Sequence, residues 1–211
     1  MTVTKRILDL LLATFALLVL AVPMAVVAFL VKVTSKGPIL YWSERVGRDN
    51  QIFSMPKFRT MRTDAPELPT HLLFDPSHWI TPVGKFLRMT SLDELPQFWC
   101  VMRGDMSCVG PRPALYNHHD VIDLRTEKGV HELVPGLTGW AQINGRDELT
   151  TEVKVNCDEE YMLRKSLLFD LRILAITPLK VLRCEGIKQR DEVEKDDRDD
   201  FQQQPPQRKA A

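Results

Sequence analysis

Apolar residues crowd the start of the chain: from Ile7 to Val31 only Asp9 and Thr14 are polar. As one helix, these roughly 25 residues reach about 37 Å, enough for a hydrocarbon core of about 30 Å. A secretory signal peptide needs a shorter apolar core and a small-x-small cleavage site, and neither is evident. Pro23 lies inside the segment, where it removes a helical hydrogen bond and clashes with the preceding turn. Positive residues flank both ends, Lys5 and Arg6 before and Lys32, Lys36, Arg45 and Arg48 after, so charge favours neither end for crossing. On residues alone a single kinked span leads, because prolines are common in genuine spans. A helix that enters one leaflet and turns back is the second reading.

Past this segment the pattern changes. Ile39 to Trp42 and Ile52 to Met55 flank the turn-rich Gly47-Arg48-Asp49-Asn50, which predicts a short β-hairpin. Residues 65–81 carry several prolines and little periodicity and read as loop. Leu95, Phe98, Trp99 and Met102 have helical spacing over 94–103, and such aromatics are more often core than ligand site. A further helix is expected over 120–132, and Pro135 to Trp140 reads as loop. Residues 159–182 then show a helical period interrupted by Pro178. Their Leu167, Leu168, Leu171, Leu174 and Ile176, beside Lys165, Arg172 and Lys180, suit a helix on the domain or in the membrane interface. From Gln189 onward charge and glutamine dominate, and a disordered tail is expected. The predicted class is α+β and mainly helical. Its parts are a membrane segment at 1–34, a compact unit at 35–188 and a charged tail at 189–211.

Composition narrows the function. With 28 basic and 28 acidic residues the net charge is zero, so the bulk basic character of non-specific nucleic-acid binding is missing. Cys100, Cys108, Cys157 and Cys184 form no C-x-x-C pair and have no histidines at zinc-ligand spacing, which predicts reduced thiols in a cytosolic domain.

The densest chemical signal runs from Lys85 to Pro113. Ser91-x-x-Glu94 has the spacing of a capping box, a common structural device. Pro96 sits poorly with a cap at Ser91, so a start nearer Asp93 is expected, with Asp93 and Glu94 at a helix N-terminus. Adjacent carboxylates among arginines suit phosphoryl chemistry: one can attack phosphorus while the other helps hold a divalent cation. Candidate anion partners are Lys57, Arg59, Arg62, Arg88, Arg112 and Arg146, although a lone surface arginine is usually just solvated. The residues themselves reach as far as a magnesium-dependent phosphoryl enzyme at a membrane.

An ordered series of motifs goes further. It comprises Lys5-Arg6-x-x-Asp9, Ser35-Lys36-Gly37-Pro38-Ile39, Glu44-Arg45-Val46-Gly47, Lys57-Phe58-Arg59-Thr60-Met61, Thr90-Ser91-Leu92-Asp93-Glu94-Leu95-Pro96-Gln97 and Gly104-Asp105-Met106-Ser107. Val109-Gly110-Pro111-Arg112-Pro113, Pro135 to Trp140, Asn144-Gly145-Arg146 and Phe169-Asp170-Leu171 complete it. In these stretches the chain resembles the bacterial sugar transferases, the small monotopic polyprenyl-phosphate phosphoglycosyl transferases.

The resemblance implies that Asp93 takes sugar phosphate from a UDP-sugar, releasing UMP, and that a polyprenyl phosphate, undecaprenyl phosphate by expectation, then attacks the covalent intermediate. It implies Glu94 as the dyad partner near Mg²⁺, phosphate-binding or supporting roles for Lys57, Arg59, Arg88, Arg112 and Arg146, and a less defined role for Asp170. It also implies a re-entrant helix broken at Pro23 with both ends cytoplasmic, at the bacterial inner membrane, which reverses the order of the two membrane readings. Membrane lipids and downstream glycosyltransferases are the expected partners, in a pathway building O-antigen, capsule, exopolysaccharide or a protein glycan. Val22 stands where serine is expected before the kink proline, and Cys100 where asparagine is usual. Longer members carry further helices and another domain, and this chain is expected to hold the catalytic unit alone. An inactive scaffold of the same fold and a membrane phosphohydrolase are the alternatives. Asp93, Glu94 and Arg112 are all present, which disfavours the first; no Asp-x-Asp motif accompanies Asp93, which disfavours the second. No residue pattern selects among N-acetylhexosamine, bacillosamine-like and hexose donors, or sets an oligomeric state.

Overall fold

The computed structural model describes residues 2–65, 76–145 and 149–182. The apolar segment forms two helices, α1 (Val3–Val19) and α2 (Ala21–Thr34), bent by 60°. Pro23 accounts for the break. It has no N–H for the Val19 carbonyl, and its ring collides with that carbonyl, so helical geometry gives way around Leu20. No single helix among the described residues is long and apolar enough to cross a membrane; α1 and α2 meet that test only as the bent pair.

Each limb has one side in the protein core. Ala13 of α1 is fully buried in the main cluster with Met55, Val101, Met106, Val109, Ile143, Phe169 and Ile173. Val27 and Val31 of α2 join a second cluster with Phe58 and Leu87. The opposite sides, including Leu11, Phe15, Leu18, Val22 and Phe29, are exposed. Asp9 is explained by the same packing. It is buried, and its Oδ1 accepts the Cys108 N–H at 3.0 Å, so the one acidic group of the segment faces protein. Arg6 caps the end of a short helix by donating to the Val101 and Met102 carbonyls at 2.6 and 2.9 Å.

The expected hairpin is present and longer than its apolar runs suggested. β1 (Leu40–Val46) pairs antiparallel with β2 (Ile52–Phe58), Tyr41 opposite Lys57 and Arg45 opposite Phe53. Of the stretch read as loop at 65–81, residues 66–75 lie outside the described residues. The remainder is not all loop: α3 (Pro76–Trp79) is a helical turn, and the Thr81 hydroxyl caps α4 (Pro82–Thr90) by accepting the Gly84 N–H.

The helix expected over 94–103 divides. Pro96 holds Leu92–Gln97 in a 3-10 turn, and α-helix begins only with α5 (Phe98–Arg103). Phe98 and Met102 pack on the core, whereas Trp99 is 53% exposed, against the expectation of a core aromatic. The helix expected over 120–132 is α6 (His119–Glu127), followed after Gly129 (φ 72°) by a separate 3-10 turn at Val130–Glu132.

Two further readings are corrected. Pro135 to Trp140 is not loop. Gly136–Thr138 is strand β4, pairing parallel with β3 (Ser107–Val109), and α7 (Trp140–Ile143) begins at once. Glycine permits this approach: a Cβ on Gly136 would lie 2.1 Å from the Gly110 nitrogen. The helical stretch 159–182 breaks not at Pro178 but at Lys165 and Ser166. It forms α8 (Thr151–Arg164) and α9 (Leu167–Leu182), with Pro178 inside the latter. Ser166 starts α9, its hydroxyl accepting the Phe169 N–H at 3.2 Å. The tail at 189–211 lies outside the described residues.

Candidate active site

Asp93 and Glu94 sit in the first turn of the 3-10 segment between α4 and α5. The capping box does not form: Ser91 is left-handed (φ 56°), its side chain makes no capping bond, and Glu94 turns instead toward two cations. Arg112, in the loop after β3, grips Glu94 with both arms of its guanidinium, at 2.5 Å to Oε1 and 3.2 Å to Oε2. Lys57, on β2, donates to Oε1 at 2.9 Å. Side-chain cations therefore dominate the environment of the dyad, and six residues of 3-10 helix add little dipole.

Both donors bond Glu94 rather than its neighbour, so what reaches Asp93 is their charge. Asp93 is buried, at 8% exposure. Burial and then the negative Glu94 push its carboxyl up to about 6, against the pull of Lys57, Arg88 and Arg112. Burial would also raise Glu94, but Arg112 and Lys57 overcome it and hold that carboxyl well below its ordinary value. Two adjacent carboxylates thus differ in character, one locked as an anion and one that gives up its proton less readily than an ordinary aspartate.

Arg88 of α4 lies near enough to act on Asp93 and is steadied by its Nε–H bond to the Thr60 hydroxyl at 2.8 Å. Arg45 also belongs here, although the motifs gave it no site role. It shares a hairpin face with Lys57, and burial followed by the charge of Arg112 pushes its guanidinium down to about 10. The period-2 alternation Tyr41, Ser43, Arg45 opposite Lys57 was the available signal, and it needed the register to be read. Arg45, Lys57, Arg88 and Arg112 face Asp93 and Glu94, an excess of two positive charges. A largely buried site with that excess suits a multiply charged anion such as a diphosphate.

The other expected site residues lie elsewhere. Arg59 is buried and closes the end of α2, donating to the Lys36 and Ser35 carbonyls and the Ser35 hydroxyl at 2.7, 3.0 and 2.7 Å. Gly37 leaves room for it, since a Cβ there would lie 2.1 Å from its guanidinium. Asp170 binds Lys5 at 2.6 Å and the Tyr161 hydroxyl at 2.8 Å, fastening α1 to α9. Both fasten the ends of the apolar helix pair and stand outside the cationic cluster. Arg62 pairs with Asp64 at the surface. Arg146 lies outside the described residues, as does Cys184. Cys100 and Cys108 are buried thiols, pushed by desolvation up to about 11 and about 12, unsuited to act as nucleophiles.

Among the described residues no group of three His, Cys, Asp or Glu side chains could hold a metal ion. A Mg²⁺ ion at the dyad would therefore have to be a shared one, with at most two protein carboxylates and the substrate supplying the rest.

A cationic cluster around two unequal carboxylates thus sits on a body fastened to a bent apolar helix pair. The model of the bacterial sugar transferase family matches residues 1–184. The chain belongs to that family. By that membership it is a transferase. It is 40% identical over 193 residues to the uncharacterized sugar transferase EpsL of Bacillus subtilis (strain 168), covering 90% of this chain and 93% of that one. It is 39% identical over 183 residues to the UDP-glucose:undecaprenyl-phosphate glucose-1-phosphate transferase of Escherichia coli (strain K12), covering 83% of this chain. It is 34% identical over 189 residues to the UDP-N-acetylgalactosamine-undecaprenyl-phosphate N-acetylgalactosaminephosphotransferase of Aeromonas hydrophila, covering 87% of this chain. The chain spans 39% and 45% of the length of these last two sugar transferases.

The raised carboxyl of Asp93 has a consequence for stability. A native carboxyl that binds its proton more tightly than the unfolded chain stabilises the fold at low pH, and this stabilisation is lost as pH rises from about 3.8 to about 6. Asp93→Asn is therefore expected to be more stable than the parent at pH 8, by roughly 1–3 kcal/mol, and equal to it near pH 4. Thermal unfolding in detergent at the two pH values measures this; a variant less stable at pH 8 would contradict the assigned environment.

Proposed function

We propose that this sugar transferase moves a sugar 1-phosphate from a UDP-sugar to undecaprenyl phosphate, with Asp93 as nucleophile, in the first membrane step of a bacterial glycoconjugate pathway. The observation that carries the reading is the buried, raised Asp93 carboxyl beside the locked Glu94, among four cations. An Asp93 carboxylate oxygen attacks the β-phosphorus. The bond to the bridging oxygen breaks, and UMP leaves with that electron pair. An oxygen of the lipid phosphate then attacks the same phosphorus, and the Asp93 carboxylate departs, leaving the sugar on a lipid diphosphate. Arg88 and Arg112 neutralise phosphoryl charge, and Arg45 and Lys57 keep the site positive as charge redistributes. Glu94 and Asp93 would hold Mg²⁺ together with the substrate, and the ion would supply further neutralisation of the departing UMP.

The bent pair gives this chemistry its place. We read α1 and α2 as a re-entrant hairpin with both ends on the cytoplasmic face of the inner membrane. Lys5, Arg6 and Asp9 fasten one end to the catalytic body and Arg59 the other. The exposed Leu167, Leu168, Leu171 and Leu179 of α9 suit burial in the membrane interface. Named relatives use glucose and N-acetylgalactosamine donors, so the donor is left to a panel.

Two measurements test these readings. With undecaprenyl phosphate and the donor that releases most UMP, initial rates against either substrate should give parallel double-reciprocal lines and a sugar-diphosphate lipid. Intersecting lines would rule out the two-step route, free sugar phosphate without lipid product would make the chain a phosphohydrolase, and no turnover an inactive scaffold. For topology, Thr2→Cys and Lys36→Cys, each in a background free of native thiols, should both react with an impermeant thiol reagent from the cytoplasmic side. Reaction from opposite sides would make the segment a simple span.

A further inference from the structure

The loop that carries Arg112 is held carbonyl by carbonyl. Pro111 O accepts the Gly136 N–H at 2.9 Å, and Ala114 O accepts the Val46 N–H at 2.9 Å. Pro113 O accepts from Arg45 at 3.3 Å, and the carbonyl of Arg112 itself accepts from the Arg125 guanidinium at 2.9 Å. Arg112 lies between two prolines, which have no N–H to contribute to holding it. Arg125, on α6, is buried, and its Nε and second terminal nitrogen both donate to Asp158 Oδ2 on α8, at 3.0 and 2.6 Å.

An ion pair this deep is poor evidence for a stabilising role. Desolvation of both groups offsets their attraction, and well-packed apolar residues of equal volume often serve the fold as well or better. Apolar residues could not, however, present an N–H to a main-chain carbonyl. Asp158 occupies one edge of the guanidinium fork and leaves the remaining nitrogen on the Arg112 carbonyl.

We propose that Arg125 and Asp158 are positioning residues for the transfer reaction: Asp158 orients Arg125, Arg125 fixes the main chain of Arg112, and the fixed Arg112 guanidinium keeps the charge of Glu94 covered beside the nucleophile. Neither residue touches the reacting atoms, and the inference rests on Asp93 being the nucleophile. The groups facing Asp93 are Glu94 from its own turn, Lys57 from β2, Arg88 from α4 and Arg112 from the loop; Lys154 of α8 also faces Asp158. Loosening Arg112 withdraws a positive charge from Asp93 and uncovers a negative one. Both changes weaken the positive field on the phosphoryl group that Asp93 attacks, so the first half-reaction slows.

The test follows single-turnover UMP release from a UDP-sugar by the full chain in detergent, without lipid phosphate, over a range of donor concentrations. This isolates the first half-reaction from binding of the acceptor. Asp158→Asn is expected to lower the rate at saturating donor several-fold, with the half-saturating donor concentration changed less than about twofold. Arg125→Lys keeps the charge but loses the fork, and should behave alike; it serves if the first variant does not fold. In an Arg112→Lys background, Asp158→Asn should add little further loss. A folded variant with an unchanged rate at saturating donor, or with a loss undiminished in that background, overturns the inference. So does failure of both variants to accumulate as folded protein, which would make the pair a general structural support. A parent chain that releases no UMP from any donor would instead sink the proposed function.

Discussion

Glu94 is the residue on which the rest of the site depends. Its carboxylate, gripped by Arg112 from one side and Lys57 from the other, ties the loop after β3 and the hairpin to the turn that carries Asp93. Without those cations two neighbouring buried carboxylates would share one proton more readily than both ionise. With them, Glu94 is the committed anion, and Asp93 is left with the elevated affinity for protons that burial and a negative neighbour impose. A carboxylate so placed is destabilised where it stands, the condition in which bond formation to phosphorus relieves cost rather than adding to it.

The same body holds both ends of the bent apolar helix pair. Lys5, Arg6 and Asp9 bind the chain at β3, α5 and α9, while Arg59 closes the end of α2. Between these fastenings the break imposed by Pro23 lets both limbs pack one side on protein and leave the other apolar side exposed. Polar residues inside the apolar run are turned to the protein side, where Asp9 Oδ1 accepts the Cys108 N–H.

The hairpin, the bent helix pair and the Asp93–Glu94 dyad were legible in the sequence because each rests on local chemistry: alternation around a turn, a proline in an apolar run, adjacent carboxylates before Pro96. The β3–β4 pairing was not, because three-residue strands carry almost no pattern and their approach depends on Gly136 meeting Gly110 across 26 positions of chain. Arg59 and Asp170 had the residue types of a phosphate site but are committed to Ser35, Lys36, Lys5 and Tyr161. Arg45, conversely, joins the site only through hairpin register. In each case side-chain type was readable and partner was not, because partners are set by tertiary packing.

In the proposed reaction Asp93 carries the sugar phosphate. Intact-mass measurement of the purified chain, given Mg²⁺ and a UDP-sugar but no lipid phosphate, tests it most directly. The expected result is a mass increase of one sugar phosphate, mapping by peptide fragmentation to Asp93, removed on addition of undecaprenyl phosphate and missing from Asp93→Asn. An adduct that persists in Asp93→Asn, or that maps to another residue, would contradict it.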